Sequence, residues 1–450
     1  MRLHAKQFFN FLTLTIFPNE ILELIIEELA VAGKGPWTGL LRDVKSCCLV
    51  SQAFVPLCRK HIFRSIDLHP GRTSLSGTIY TPDIARLWGK LLYGCRNREV
   101  HPGIYVRKLK YRPAGDQDRG SQLVLDALQG MPNVSEVELI GNRHGNSDFL
   151  ACSLGWRLSI LCLIQQPNLK VLTIRNMTFP VEALQWCPAL GTLNLLESWS
   201  PGLFRPRVDL VGSEWRPLTR FEHAEPDVQH VYPRVMVTDS MSAVDIGVLP
   251  KLGNREPSPK IVRLDRVEHL HLVVEGPYDY DVACSAFQDA KSLRKLSLQM
   301  NVEPDEQTHL PEFPLAVLHP DSFLTLTYLH LNVMMTREWE NTPLADPYLG
   351  LCEKALRNLI VLQELKVNIC IADIIALPDT AYGPQWGKLD RALASDETTA
   401  GLALFTACFD RLTAYICGKV VQKSSYLLAK RQIDRPSEPD QGTSHGASSW

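Results

Sequence analysis

Residues 131–139 read Met131-Pro132-Asn133-Val134-Ser135-Glu136-Val137-Glu138-Leu139, and the same design returns at Gln166-Pro167-Asn168-Leu169-Lys170-Val171-Leu172-Thr173-Ile174 and Cys187-Pro188-Ala189-Leu190-Gly191-Thr192-Leu193-Asn194-Leu195. Each stretch carries a proline, then aliphatic-x-x-aliphatic-x-aliphatic. Proline cannot continue a helix and biases its predecessor toward extended backbone, so each stretch ends one element and aims the chain into a strand. Outward from these three, the pattern recurs at Val267-x-x-Leu270-x-Leu272, Leu293-x-x-Leu296-x-Leu298, Leu326-x-x-Leu329-x-Leu331 and Leu362-x-x-Leu365-x-Val367. Weaker copies stand at Val106-x-x-Leu109-x-Tyr111 and Leu218-x-x-Phe221-x-His223. Between middle residues, the steps 137 to 172 to 193 are 35 and 21 residues and the steps 270 to 296 to 329 to 365 are 26, 33 and 36, each room for a strand and a returning helix. The connecting segments 122–128, 158–164, 181–186, 282–290 and 349–359 repeat apolar residues at helical spacing. Strand and helix therefore alternate, which predicts an α/β chain with parallel strands.

This alternation resembles a degenerate leucine-rich repeat array, whose period is irregular here and whose usual asparagine after the strand is largely missing. The resemblance implies a solenoid with parallel strands along a concave face; an ordinary α/β sheet is the alternative. Strand side chains alternate between faces, so the third and fifth pattern positions project outward while the aliphatics enter the core. The outward ladder then reads Lys108/Lys110, Glu136/Glu138, Val171/Thr173, Thr192/Asn194, Arg220/Glu222, His269/His271, Lys295/Ser297, Tyr328/His330 and Glu364/Lys366. Mixed charge with histidine and tyrosine suits a polar protein surface. Arg220, His269, His271, Lys295, Tyr328, His330 and Glu364 are the candidate target-binding residues.

The N-terminal fifty residues have a different texture. Pro18-Asn19-Glu20 opens a helix on which Ile21, Leu22, Ile25, Ile26 and Leu29 share a face, opposite Glu20, Glu23, Glu27 and Glu28. Gly33, Gly35, Pro36 and Gly39 end it. A second helix over about Leu40 to Leu49 and a third after Ser51 complete a module too small to bury all its apolar surface internally. Phe17-Pro18-Asn19-Glu20-Ile21-Leu22, followed by Leu49-Val50-Ser51, Phe54, Leu57 and Ile62-Phe63, resembles the F-box motif in order and spacing. Phe17 and Phe54 replace residues of the usual pattern, and the loop from Val31 to Gly39 is longer than usual. The resemblance implies docking to the Skp adaptor of cullin-based ubiquitin ligases, carried by Phe17, Pro18, Ile21, Leu22, Ile25, Leu49 and Val50.

Composition narrows the function classes. Against 47 Lys and Arg stand 49 Asp and Glu, a formal charge of -2, so the chain has no global basic field for nucleic acid or an anionic membrane. Hydrophobic residues at 45% and charged residues at 21% are ordinary for a soluble globular protein. The 12 cysteines form no C-x-x-C pair and sit among apolar neighbours, as reduced thiols of cytosolic or nuclear proteins do. The apolar run Phe8 to Phe17 is interrupted by polar residues and lacks a cleavage motif, which argues against a signal peptide. No apolar stretch reaches the roughly 18–20 residues that span a bilayer. No nucleophile elbow, zinc-protease helix, Walker loop or dinucleotide fingerprint is present. His269 and His271 could share a metal, but no third ligand is placed beside them, so neither metal nor cofactor is expected.

The expected organisation is an extension over 1–16, the F-box over 17–66 and the repeat-like region over 67–395. Within that region, 225–260 is a proline-rich insertion; a helical cap over 396–432 and a disordered tail over 433–450 follow. The fold class is thus α/β, a three-helix F-box followed by an irregular leucine-rich-repeat-like solenoid. The expected function is a non-catalytic substrate-recognition adaptor of a Skp-cullin-F-box ligase, cytoplasmic or nuclear, bringing together the Skp adaptor with its cullin core and an unidentified protein target. A leucine-rich-repeat scaffold without ligase role and a cytosolic hydrolase with a non-obvious site are the alternatives.

Overall fold

Each aliphatic triplet among the described residues leads into a parallel strand with its aliphatics buried, the outcome that alternation and proline punctuation predict. The computed structural model describes residues 19–32, 40–50, 54–69, 72–73, 80–81, 84–95, 101–113, 122–141, 147–149, 152–197, 230–239, 261–274, 277–301, 314–335, 358–372, 404–413 and 422–432. The chain divides into two units, residues 1–263 and 264–450, a division the sequence reading did not anticipate within 67–395.

Unit 1 begins with α1 (Asn19–Ala32), α2 (Leu40–Val50) and α3 (Phe54–Ile62), close to the three predicted helices. Ile26, Val44 and Cys58 form their buried centre, with Cys47, Cys48, Phe54, Leu57 and Ile62 packed around it. Three residues after α3 the chain enters β1 (Ser65–Leu68), so the sheet starts inside the segment assigned to the F-box. Parallel strands β2 (Lys108–Tyr111), β3 (Glu136–Ile140), β4 (Val171–Arg175), β5 (Thr192–Leu196) and β6 (Val235–Asp239) follow in sheet order. Ile66, Leu109, Val137, Leu172, Leu193 and Met236 stand in one register row. At the mouth of each strand one carbonyl accepts two successive N–H groups of the next. Arg107 O serves Ser135 and Glu136, Ser135 O serves Lys170 and Val171, and Lys170 O serves Gly191 and Thr192. This repeated clamp fixes the register, and an aliphatic side chain fully buried by it contributes about 1.5–3 kcal/mol.

Strand β6 corrects the reading of 225–260 as a simple insertion, because Val235–Asp239 occupies the sheet position beside β5. Pro233 and Thr238 fill two aliphatic places of that copy, and Thr238 is buried with its hydroxyl bonded to the Asp239 carbonyl at 2.7 Å. A pattern search for aliphatics therefore passes over it. The weak copy at 218–223, and Arg220 with it, lies outside the described residues.

The return path includes α4 (Ile84–Gly94), which was not predicted, α5 (Gln122–Gln129) and α6 (Leu154–Ile164), while Val181–Trp186 forms a 3-10 helix. In α4, Ala85, Trp88, Gly89 and Leu92 make the buried face, at i, i+3, i+4 and i+7. Gly89 permits a close approach of α5: a Cβ built there stands 2.1 Å from the Leu123 carbonyl oxygen. Alanine is ordinarily about 1 kcal/mol better than glycine within a helix. At Gly89 the sign is expected to reverse, since two helices must separate, at a cost of about 1–3 kcal/mol. A urea midpoint that rises in Gly89→Ala would contradict this packing.

Unit 2 repeats the scheme with β7 (His269–Val274), α7 (Pro277–Asp289), β8 (Lys295–Asn301), β9 (Tyr328–Met335), β10 (Glu364–Ala372) and β11 (Leu404–Thr413), all strands parallel. An antiparallel β12 (Gln422–Gln432) ends it. Helix α7 covers the predicted helix at 282–290, whereas most of 349–359 lies outside the described residues. Buried Ser322 ties successive repeats, donating to the Ala290 carbonyl at 2.6 Å and accepting from the Leu293 N–H at 3.2 Å. The helical cap expected over 396–432 is corrected: β11 and β12 are strands. Leu402-x-x-Phe405-x-Ala407 is a further copy of the triplet, with Phe405 registered against Leu365, and β-sheet pairing with β10 overrides the weak helical spacing. Residues 1–16 and 433–450 lie outside the described residues.

Candidate functional site

Two surfaces follow from this architecture, and the first is the N-terminal module. Helical spacing puts Leu22 and Ile26 on the inner side of α1, where they are 8% and 0% exposed. Ile21, Leu24 and Ile25, at i, i+3 and i+4, turn outward and are 40%, 57% and 43% exposed, and Leu49 near the end of α2 is 88% exposed. Ile21, Leu24 and Ile25 form an exposed apolar strip on α1, and Leu49 is a further exposed apolar side chain on α2. Leu22, expected in the docking surface, is buried instead: it stands four residues from Ile26 and so shares the helix side of that core residue. Leu24 was missed, although its three-residue spacing from Ile21 is the signal that places it outward. Val50 ends α2, and Phe17 and Pro18 lie outside the described residues. An ion pair between Glu23 and Lys60 links α1 to α3 and holds the Glu23 carboxyl below its usual range. Inside, desolvation and the neighbouring Cys48 and Cys47 thiols push Cys58 up to about 12, so this thiol stays protonated.

The second surface is the outward face of the strands, and here the predicted ladder agrees with the register. In unit 2 one row reads His269, Lys295, Tyr328, Glu364 and the next His271, Ser297, His330, Lys366. A third adds Gln299, Asn332 and Asn368. The alternating positions Leu270, Leu272, Leu296, Leu298, Leu329, Leu331, Leu365 and Val367 are all buried behind them.

His330 lies at the middle of this face. One ring nitrogen meets Ser297 Oγ at 3.3 Å and the other the Asn368 amide at 2.9 Å, partners that carry no charge. Burial, the Lys366 ammonium and His271 together push the imidazole down to about 4. His271 is lowered by burial, and Tyr328 is raised by burial and then by Glu364. At neutral pH both imidazoles are therefore uncharged hydrogen-bonding groups.

A pH dependence follows. The unfolded chain takes up a proton on this histidine near 6.5 and the folded chain only near 4, so the unfolded state binds more protons between those values. Stability is then complete above about 6.5 and falls as pH drops toward 4. The full gap corresponds to about 3 kcal/mol, which partial exposure reduces to about 1–2 kcal/mol. Urea midpoints at pH 7 and pH 4.5 test it: His330→Gln should show the smaller drop, and equal drops would remove His330 as the cause.

Unit 1 presents a different face. Lys108 pairs with Glu136 at 2.6 Å, Lys110 with Glu138 at 3.0 Å, and Asn194 donates to the Thr173 hydroxyl at 2.8 Å. Lys108 and Lys110 are thus neutralised across the strands. Among the described residues, no group of three His, Cys, Asp or Glu is placed to hold a metal ion, His269 and His271 included, and no helix is long and apolar enough to cross a membrane. Comparison of the chain with protein-family models and with curated proteins finds no match.

Proposed function

We propose that this protein is a non-catalytic substrate-recognition adaptor of a Skp-cullin-F-box ubiquitin ligase. The observation that carries the reading is the exposure of the apolar side chains Ile21, Leu24, Ile25 and Leu49 on a three-helix module whose residue order resembles the F-box. Those side chains dock the Skp adaptor, and the outward strand face of the repeat-like region holds a protein target. The contribution to catalysis is proximity: target lysines are held near an external ubiquitin-transfer enzyme, which replaces a bimolecular encounter by an intramolecular one. The cytoplasm or nucleus is the expected setting, with neither membrane nor nucleic acid as a partner.

A second reading has its own observation. Strand β1 begins three residues after α3, so the three helices stand where a repeat array needs its edge closed, and a scaffold without ligase role would use them only as a cap. Co-expression of the full chain with a Skp adaptor separates the two. Stoichiometric co-purification supports the ligase adaptor; a folded chain that emerges alone supports the scaffold.

A further inference from the structure

The two units use their outward lysines differently. In unit 1 Lys108 and Lys110 each meet a glutamate across one strand spacing. In unit 2 Lys295 is registered between His269 and Tyr328, and Lys366 between His330 and Thr406, so no acid is registered against either across the strands. Glu364, the carboxylate of these rows, is registered against Tyr328, and no ion pair among the described residues joins it to Lys295 or Lys366. Lys295 is exposed, whereas Lys366 is half-buried beside a neutral imidazole. A half-buried ammonium with no ion-pair partner among the described residues is the place where an incoming anion gains most, because part of its desolvation has already been met by folding.

We propose that the β7–β10 face docks an acidic polypeptide segment, its carboxylates taken by Lys295 and Lys366 while Tyr328 and Ser297 contact the segment between them. The two lysines sit two strands apart and one row apart, a spacing of roughly 10–12 Å from the inter-strand distance and the strand rise. Carboxylates a few residues apart on an extended segment cover that span. Tyr328 supplies an amphipathic ring at the centre, a residue type favoured at such positions. This inference rests on the target-binding role proposed above for the strand face and gives that target a chemical class.

The test uses the full chain and short fluorescein-labelled peptides of alternating glutamate and serine, of glutamine and serine, and of lysine and serine, with a labelled single-stranded oligonucleotide beside them. Fluorescence anisotropy should show binding of the glutamate peptide alone, weakening as salt is raised. Lys295→Gln with Lys366→Gln should weaken it by about tenfold or more, whereas Lys108→Gln with Lys110→Gln should leave it unchanged. Unchanged urea midpoints for both double variants establish that folding is not the cause. Equal binding of the glutamate and glutamine peptides, tighter binding of the oligonucleotide, or wild-type affinity in Lys295→Gln/Lys366→Gln would each overturn the proposal. Co-purification with the Skp adaptor, run on the same preparations, separates the two readings: adaptor binding without peptide binding removes only the acidic target. Peptide binding without adaptor binding removes only the ligase role.

Discussion

A full chain carrying Ile21→Asp and Leu49→Asp is expected to lose co-purification with the Skp adaptor while keeping the wild-type circular dichroism and urea midpoint. Both side chains are well exposed in the free chain, so a carboxylate at either position remains hydrated and the helices keep their centre of Ile26, Val44 and Cys58. On docking, both carboxylates would pass from water into an apolar contact without a partner, each costing several kcal/mol. With tenfold in affinity for every 1.4 kcal/mol, the loss is on the order of a thousandfold or more. Ile26→Asp provides the contrast. It buries the charge in the folded module itself and is expected to lower the urea midpoint as well as binding. If the exposed pair reduces binding no more than a distant surface change does, the docking surface is misassigned. Wild-type chain that folds yet never binds would remove the ligase role altogether.

The second large effect is expected in the core of unit 1. Trp156 is buried in α6, its indole N–H donating to the Tyr111 hydroxyl at 3.0 Å. Its ring meets Phe149 edge-on at 5.4 Å between centroids, and Phe149 in turn meets Phe179 at 5.1 Å. Trp156→Ala removes the largest fully buried side chain of this cluster, which typically costs about 3–5 kcal/mol. The buried Tyr111 hydroxyl also loses its donor, a further cost of about 1–3 kcal/mol. Trp156→Phe keeps most of the volume and isolates the second term, so its urea midpoint should fall between those of wild type and Trp156→Ala. A midpoint for Trp156→Ala within 1 kcal/mol of wild type, on the roughly 0.5 kcal/mol scale of surface changes, would show that this cluster is not the core.

How much of this was legible depends on whether the signal is local. Val134, Val137 and Leu139, or Leu326, Leu329 and Leu331, reveal their strand in six residues because each buries an aliphatic at every pattern position. The same reasoning put His271, Ser297, His330 and Lys366 on one face, since alternation alone decides which way a strand residue points. It failed where the repeat substitutes another solution. Strand β6 places Thr238 inside and lets the backbone satisfy its hydroxyl, and β11 was read as a helix because Leu404, Cys408 and Leu412 happen to recur at four-residue spacing. On α1 the sequence reading counts Leu22 among the proposed docking residues and does not name Leu24, whereas Leu22 is buried and Leu24 exposed: both are leucine in one apolar helix, and only the positions of α2 and α3 decide which is covered.

By itself, the amino-acid sequence determined the alternation of strand and helix, the three-helix start, and the rows of outward residues, because burial periodicity and proline punctuation are properties of neighbouring residues. Tertiary structure alone decided which buried polar groups find partners and which charges do not. Tyr111 is admitted to an aliphatic position by an indole 45 residues away, and Lys108 is neutralised by Glu136 while Lys366 has no ion-pair partner among the described residues. Those outcomes depend on register between distant segments, and register is set by the whole packed sheet rather than by any one stretch of chain.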